Sequence, residues 1–182
     1  MTGIGDAVLM SNADLARRVG ECCRLTGRFV LRSGRVADEY FDKYQFEADP
    51  ALLDEIAAGM APLVPEGTEV LASLEMGGIA VVTALGRQTG LPCAFVRKEA
   101  KPCGTARLAE GTDVRGRQVL VIEDVATSGG QIAISVSHLR DLGARVSHAL
   151  CVIDRQEDGA RLLAAAGIRL HALLRREDLD RP

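Results

Sequence analysis

The segment Val119-Leu-Val-Ile-Glu-Asp-Val-Ala-Thr-Ser-Gly-Gly-Gln131 carries an apolar run into two adjacent acids, Glu123 and Asp124. Val125, Ala126, Thr127, Ser128, Gly129 and Gly130 follow, and Gln131 opens a helical stretch. That order of residue types suits an anion. A helix start presents unpaired N–H groups and about half a positive charge, so it holds phosphate. Gly129 and Gly130 let the backbone come close, and the hydroxyls of Thr127 and Ser128 can donate hydrogen bonds. Two acids beside a phosphate cradle make electrostatic sense if they serve hydroxyls or a metal. A ribose offers two hydroxyls, and Mg2+ would bridge the remaining charge. Without such a ligand the same residues are a strand running into a capped helix with solvated acids. The segment lacks the Gly-Lys-Ser/Thr of a Walker loop and the GxGxxG of a dinucleotide fingerprint.

Phe95-Val-Arg-Lys-Glu-Ala-Lys-Pro-Cys-Gly104 places Arg97, Lys98 and Lys101 at the start of a loop broken by proline and glycine. Cations that close over a departing pyrophosphate stabilise the charge that develops, and a closing loop excludes water. A solvated basic loop is the plainer alternative. Asp154-Arg155-Gln156-Glu157-Asp158-Gly159 follows an apolar run and reads locally as a helix cap with a surface ion pair. Phe29-Val-Leu-Arg32 and Glu39-Tyr40-Phe41-Asp-Lys43 flank Ser33-Gly34, a strand–turn–strand pattern whose aromatics could simply be core. Leu74-Glu-Met-Gly-Gly78 is a further glycine-bearing turn after an apolar run.

Taken together, and in this order, these segments resemble the type I phosphoribosyltransferases, and among them the orotate phosphoribosyltransferases. The resemblance runs from about Leu25 to Gly159. It implies a central parallel sheet flanked by helices, with a small N-terminal hood, and transfer of a phosphoribosyl group from phosphoribosyl pyrophosphate (PRPP) to orotate with Mg2+. Residue by residue, it implies that PRPP is bound by Arg97, Lys98, Lys101, Glu123, Asp124, Val125, Ala126, Thr127, Ser128, Gly129, Gly130 and Gln131. Lys98, Lys101 and Asp124 would be catalytic, and Mg2+ would be held mainly through PRPP, with Glu123 and Asp124 as the protein's ligands. Orotate would meet Thr127, Arg155, Arg32, Tyr40 and Phe41, with the Arg155 fork on its carboxylate. Lys98 and Arg32 would cross between the subunits of a homodimer.

Two positions depart from the family pattern. Cys103 stands where many members carry His, and Gly77 where some carry Lys, which leaves a backbone-only contact at that turn. The rivals are a phosphoribosyltransferase for another base and a PRPP sensor without catalysis. Arg97, Lys98 and Lys101 argue against a sensor, and Arg155 argues for a carboxylated acceptor.

These residues need a scaffold, and the patterning supplies one. Strands are expected at Glu69–Leu74, Cys93–Val96, Val119–Glu123, Arg145–Ile153 and Ile168–Leu173. Helices are expected over residues 77–88, Gln131–Leu142 and Glu157–Ala166. Apolar runs without alternation suit parallel strands covered on both faces, and their alternation with helices implies βαβ units. The acids should stand at a strand end, outside the core. Upstream, Asn12–Leu25 has helical spacing, and Asp49-Pro50 supplies an N-cap and first-turn pair for a helix to Met60. Residues 1–10 read as a loose extension and 11–182 as a single domain, its hood formed by about 11–48.

The 182 residues are 47% hydrophobic but only 3% aromatic, so the core must be Val, Leu, Ile and Ala. A net charge of −3 without a basic stripe excludes a general nucleic-acid binder. No apolar run approaches the roughly 20 residues that span a bilayer, and the N-terminus has no signal-peptide pattern. Five cysteines, with no CxxC and no zinc spacing, suit a reducing cytoplasm. His138, His148 and His171 have no catalytic partner at useful spacing and read as surface residues.

Overall fold

The backbone switches from helix to extended structure at Arg24, and the first helix packs on the main body of the protein. The computed structural model describes residues 12–30, 34–99, 107–155 and 159–180. Helix α1 (Asn12–Cys23) buries Leu15, Ala16, Val19 and Cys23. Strands β1 (Arg24–Val30) and β2 (Val36–Phe41) pair antiparallel in a sheet of their own. The expected helix to Leu25 thus ends two residues early. Within the stretch expected to form the hood, this two-stranded sheet is separate from the main sheet, whereas α1 packs in the core cluster.

Helices α2 (Tyr44–Ala48) and α3 (Pro50–Met60) follow, and Asp49 separates them as a cap. The Asp49 Oδ1 accepts from the backbone N–H groups of Ala51 at 3.0 Å and Leu52 at 3.1 Å. Next come β3 (Val70–Leu74), α4 (Gly78–Thr89), β4 (Cys93–Val96), β5 (Ala109–Gly111), β6 (Gln118–Ala126) and α5 (Gly130–Asp141). The chain ends with β7 (Arg145–Asp154), α6 (Gly159–Ala165), β8 (Arg169–Arg175) and α7 (Arg176–Leu179).

The main sheet has six strands in the order β5-β4-β3-β6-β7-β8. Five are mutually parallel; β5 at the edge is antiparallel to β4, a departure from the all-parallel expectation. Period-two alternation divides the core. Leu71, Leu120, Ile122, Leu150 and Val152 face the cluster built with α1, α3 and α4. Val70, Ala72, Val119, Val121, Ala149 and Cys151 face the cluster that contains Ile132, Val136, Leu139 and Leu163 of α5 and α6. From β3 the chain moves to β4 on one side, whereas from β6 it moves to β7 on the other. The strand order therefore reverses between β3 and β6, where open α/β sheets leave a crevice at the strands' carboxyl ends.

The Asp49 cap is open to test. Asp49→Ala leaves two N–H groups of α3 without their acceptor and should lower unfolding stability by about 1 kcal/mol. Urea denaturation reads this as a lower midpoint at unchanged slope.

Candidate active site

A cavity of about 430 Å³ opens at that crevice. Its floor is Glu123, Val125, Ala126 and the turn Thr127–Gly130 running into Gln131 and Ile132; Tyr40, Phe41 and Lys43 form the hood side, and Arg155 closes one end. The turn is built for close approach. Gly129 has φ +73°, and a side chain there would press within 3.0 Å of the Gly159 carbonyl, so glycine is required on two counts. Thr127 and Ser128 are exposed, and α5 starts at Gly130 with its N–H groups toward the cavity end of the sheet.

The acids are placed differently from the sequence expectation. β6 continues through Ala126, because Val125 and Ala126 still pair with Ile153 and Asp154 of β7. Glu123 and Asp124 consequently lie within the strand, 8% and 0% exposed, and belong to the core rather than a free strand end. Glu123 lines the cavity, and its Oε2 is buried without a hydrogen-bond partner among the described residues. Asp124 lies under the cavity and is absent from its lining. Its Oδ1 accepts from the Val125 N–H at 2.5 Å, and its Oδ2 pairs with Lys43 Nζ at 2.5 Å.

Glu47 of α2 completes a group of three carboxyls around one ammonium. Burial, together with the neighbouring Asp124 carboxylate, pushes the Glu47 carboxyl well above the ordinary range. Glu123 is raised for the same reasons, burial first. Burial opposes the charge of Lys43, but the pairing with Asp124 outweighs it and holds the ammonium above its ordinary value.

The remaining predicted residues divide. Tyr40, 45% exposed, and Phe41 come to the cavity with Arg155, which follows the last residue of β7. A second hollow of about 230 Å³ shares these three and adds Arg24, Glu39 and Arg176. Arg155 and Arg176 follow Asp154 and Arg175, which are register partners on β7 and β8, so two guanidinium-bearing residues sit side by side. Arg97 and Lys98 do not line the main cavity. Arg97 lies 3.8 Å from both Glu75 and Glu110, and the Lys98 N–H donates to Glu75 at 3.1 Å while its side chain is exposed. Arg32, Lys101 and Cys103 lie outside the described residues. Lys43 is the site residue that sequence reasoning passed over; its one local signal is its place two residues after Phe41.

No group of three or more His, Cys, Asp or Glu among the described residues could hold a metal ion by itself. Asp124 is already taken by Lys43. Glu123, with its orphaned Oε2, is the carboxylate that fits a cation arriving with an anionic ligand.

The Phosphoribosyl transferase domain model matches residues 43–166. An orotate phosphoribosyltransferase from Nocardioides sp. is 48% identical over 169 residues, covering 93% of this chain and 94% of that protein. The crystal structure of Mycobacterium tuberculosis orotate phosphoribosyltransferase in complex with Fe(III) dicitrate aligns with a TM-score of 0.84 at 32% identity, covering 93% of this chain and 99% of that one. The same enzyme in complex with PRPP gives a TM-score of 0.80 at 29% identity, covering 92% and 98%.

The raised Glu47 carboxyl predicts a pH dependence of stability. Between the unfolded value near 4.5 and its higher folded value, the folded state keeps a proton that the unfolded state has released. Stability from this group is therefore present below the unfolded value and is lost as pH rises. The melting temperature should fall between pH 5.5 and 8.5, and Glu47→Gln should shrink that fall by about 2 °C or more, roughly the shift 1 kcal/mol makes in a domain of this size. Identical pH profiles for the two proteins would contradict the assignment.

Proposed function

The chain belongs to the phosphoribosyl transferase family and, within it, to the orotate phosphoribosyltransferases, and from that premise we propose how its cavity performs the reaction. The phosphoribosyl group of PRPP passes to orotate, giving orotidine 5′-monophosphate and pyrophosphate in pyrimidine synthesis. One observation carries the residue assignments: the phosphate turn Thr127–Gly130 shares a single cavity with Tyr40, Phe41 and Arg155.

In this reading the Thr127–Gly130 turn and the start of α5 hold the 5′-phosphate by N–H and hydroxyl donors. Glu123 accepts from the ribose hydroxyls. Tyr40 and Phe41 bound the flat base, and Arg155 grips its carboxylate with two parallel donors. Cleavage at C1′ builds oxocarbenium character while the base nitrogen approaches the other face. No side chain acts as a nucleophile; the residues orient both substrates and exclude water. Mg2+, when bound with PRPP and against Glu123, supplies positive charge to the pyrophosphate.

We assign Arg97, Lys98 and Lys101 to the pyrophosphate, with Lys98, like Arg32, crossing from a second subunit. The exposed Lys98 side chain, away from its own cavity, supports delivery in trans. Met76, 67% exposed, and Tyr44 edge an open, largely apolar face with Ile79 and Leu53, which suits a subunit contact. Among the described residues no helix is long and apolar enough to cross a membrane. We place the enzyme in the cytoplasm on its five cysteines, which show neither a CxxC nor a zinc spacing.

Two outcomes test this reading. Arg155→Ala should lower kcat/KM for orotate by roughly one to two orders of magnitude, the range of a charge-assisted hydrogen bond. PRPP affinity should change far less, and Arg155→Lys should recover only part of the loss. Orotate turnover within about threefold of wild type, well under that range, would make Arg155 a helix-cap residue. Separately, mixing impaired Lys98→Ala subunits with impaired Arg155→Ala subunits should raise activity above the sum of the two through hybrid dimers. An active monomer in solution scattering would remove the trans assignment.

A further inference from the structure

Two cationic side chains, Lys43 and Arg155, appear among the described residues that line the main cavity. Arg155 stands at the acceptor end beside the aromatics. PRPP brings a phosphate and a pyrophosphate, and the floor it meets already contains Glu123, with Asp124 directly beneath. An anion of that charge needs a cation at the end of the cavity away from Arg155.

Lys43 is held at such a place. It enters from the short connection between β2 and α2, and its Nζ pairs with the fully buried Asp124 of β6. The turn after β3 closes over the pair: a Cβ added at Gly77 would lie 2.6 Å from Lys43 Nζ and would collide with the Asp124 carboxylate. The sequence suggested that the turn Glu75–Gly78 offers backbone alone. The structure puts an ammonium from elsewhere in the chain into the very space a side chain at 77 would need. The Lys43 side chain remains 33% exposed, so it is not consumed as an internal counter-ion.

We propose that Lys43 is a substrate-contact residue that receives the pyrophosphate group of PRPP at the Gly77 turn, with Asp124 as its anchor. The proposal rests on the phosphoribosyl-transfer reading and adds to it a cation supplied in cis, distinct from the basic loop. The anchor has a purpose in this arrangement. An ammonium fixed by a buried carboxylate is oriented before the substrate arrives, so little side-chain freedom is lost on binding. Asp124 also keeps Lys43 charged, and Glu47 beside it gives the cluster protons with which to avoid excess negative charge.

The test separates the two halves of PRPP. Affinities for inorganic pyrophosphate, ribose 5-phosphate and PRPP, each with Mg2+, are measured by calorimetry on wild type, Lys43→Met and the double variant Lys43→Met/Asp124→Asn. The double variant leaves no orphaned buried charge, so it stays informative where the single variant unfolds. The expected result is a loss of about tenfold or more for pyrophosphate and PRPP, the scale of one charge-assisted hydrogen bond. Ribose 5-phosphate affinity should stay within threefold, because the Thr127–Gly130 turn is untouched. KM for PRPP should rise while KM for orotate does not. Equal losses for both halves would make Lys43 a structural strut and overturn the proposal, as would no loss at all. A wild-type protein that binds neither PRPP nor pyrophosphate would overturn the phosphoribosyl reading itself, a result distinguishable from the failure of Lys43 alone.

Discussion

Asp124 has a carboxylate with no exposed surface, and much of the site's geometry follows from how that charge is accommodated. An isolated buried carboxylate is untenable, and breaking a buried ion pair by removing one partner destabilises by about 3–5 kcal/mol. Lys43 is the partner, and it arrives from the segment that follows the hood strands. Gly77 must be glycine for the pair to fit. One interaction therefore ties together the hood, the turn after β3 and strand β6. These three elements carry Tyr40 and Phe41, the Gly77 turn and the Thr127–Gly130 turn, and all but the Gly77 turn line one cavity.

The sheet supplies the rest of the architecture. Reversal of strand order between β3 and β6 opens the crevice, and the parallel strands direct their carboxyl ends toward it. Arg155 reaches the same crevice because it follows the last residue of β7, which pairs with β6 along nearly its whole length. The Thr127–Gly130 turn likewise follows the end of β6, so it and Arg155 are both placed by the paired strands. The chemistry it serves is one of positioning and charge compensation, which suits a cavity rich in fixed donors and poor in nucleophiles.

Much of this was legible in the chain itself. The strand Cys93–Val96 has the bounds its apolar run implies, and the Asp49-Pro50 pair starts α3 as a cap should. The Thr-Ser-Gly-Gly turn stands out locally, by residue types in unbroken order at a strand end. Arg155 reads locally as a cap residue and was singled out by the family resemblance; both line the cavity. What escaped was set by contacts distant in sequence. β5 is three residues, Ala-Glu-Gly, with no apolar periodicity, and only pairing with β4 makes it a strand. β6 outruns its apolar stretch because β7 continues beside it, and that extension buries the acids. Lys43 had only its place two residues after Phe41 as a local signal, since its partner Asp124 lies in β6, far along the chain.

The measurement that bears most directly on the whole account is product formation by the wild-type protein from PRPP and Mg2+ offered a panel of bases: orotate, uracil, adenine, hypoxanthine and guanine. A cavity lined by the Arg155 guanidinium should turn over orotate and leave uracil, which lacks only the carboxylate, at least about tenfold behind in kcat/KM, the lower end expected for that contact. Orotidine 5′-monophosphate and pyrophosphate should appear in equal amounts. Comparable turnover of uracil, or turnover of a purine in place of orotate, would contradict the account.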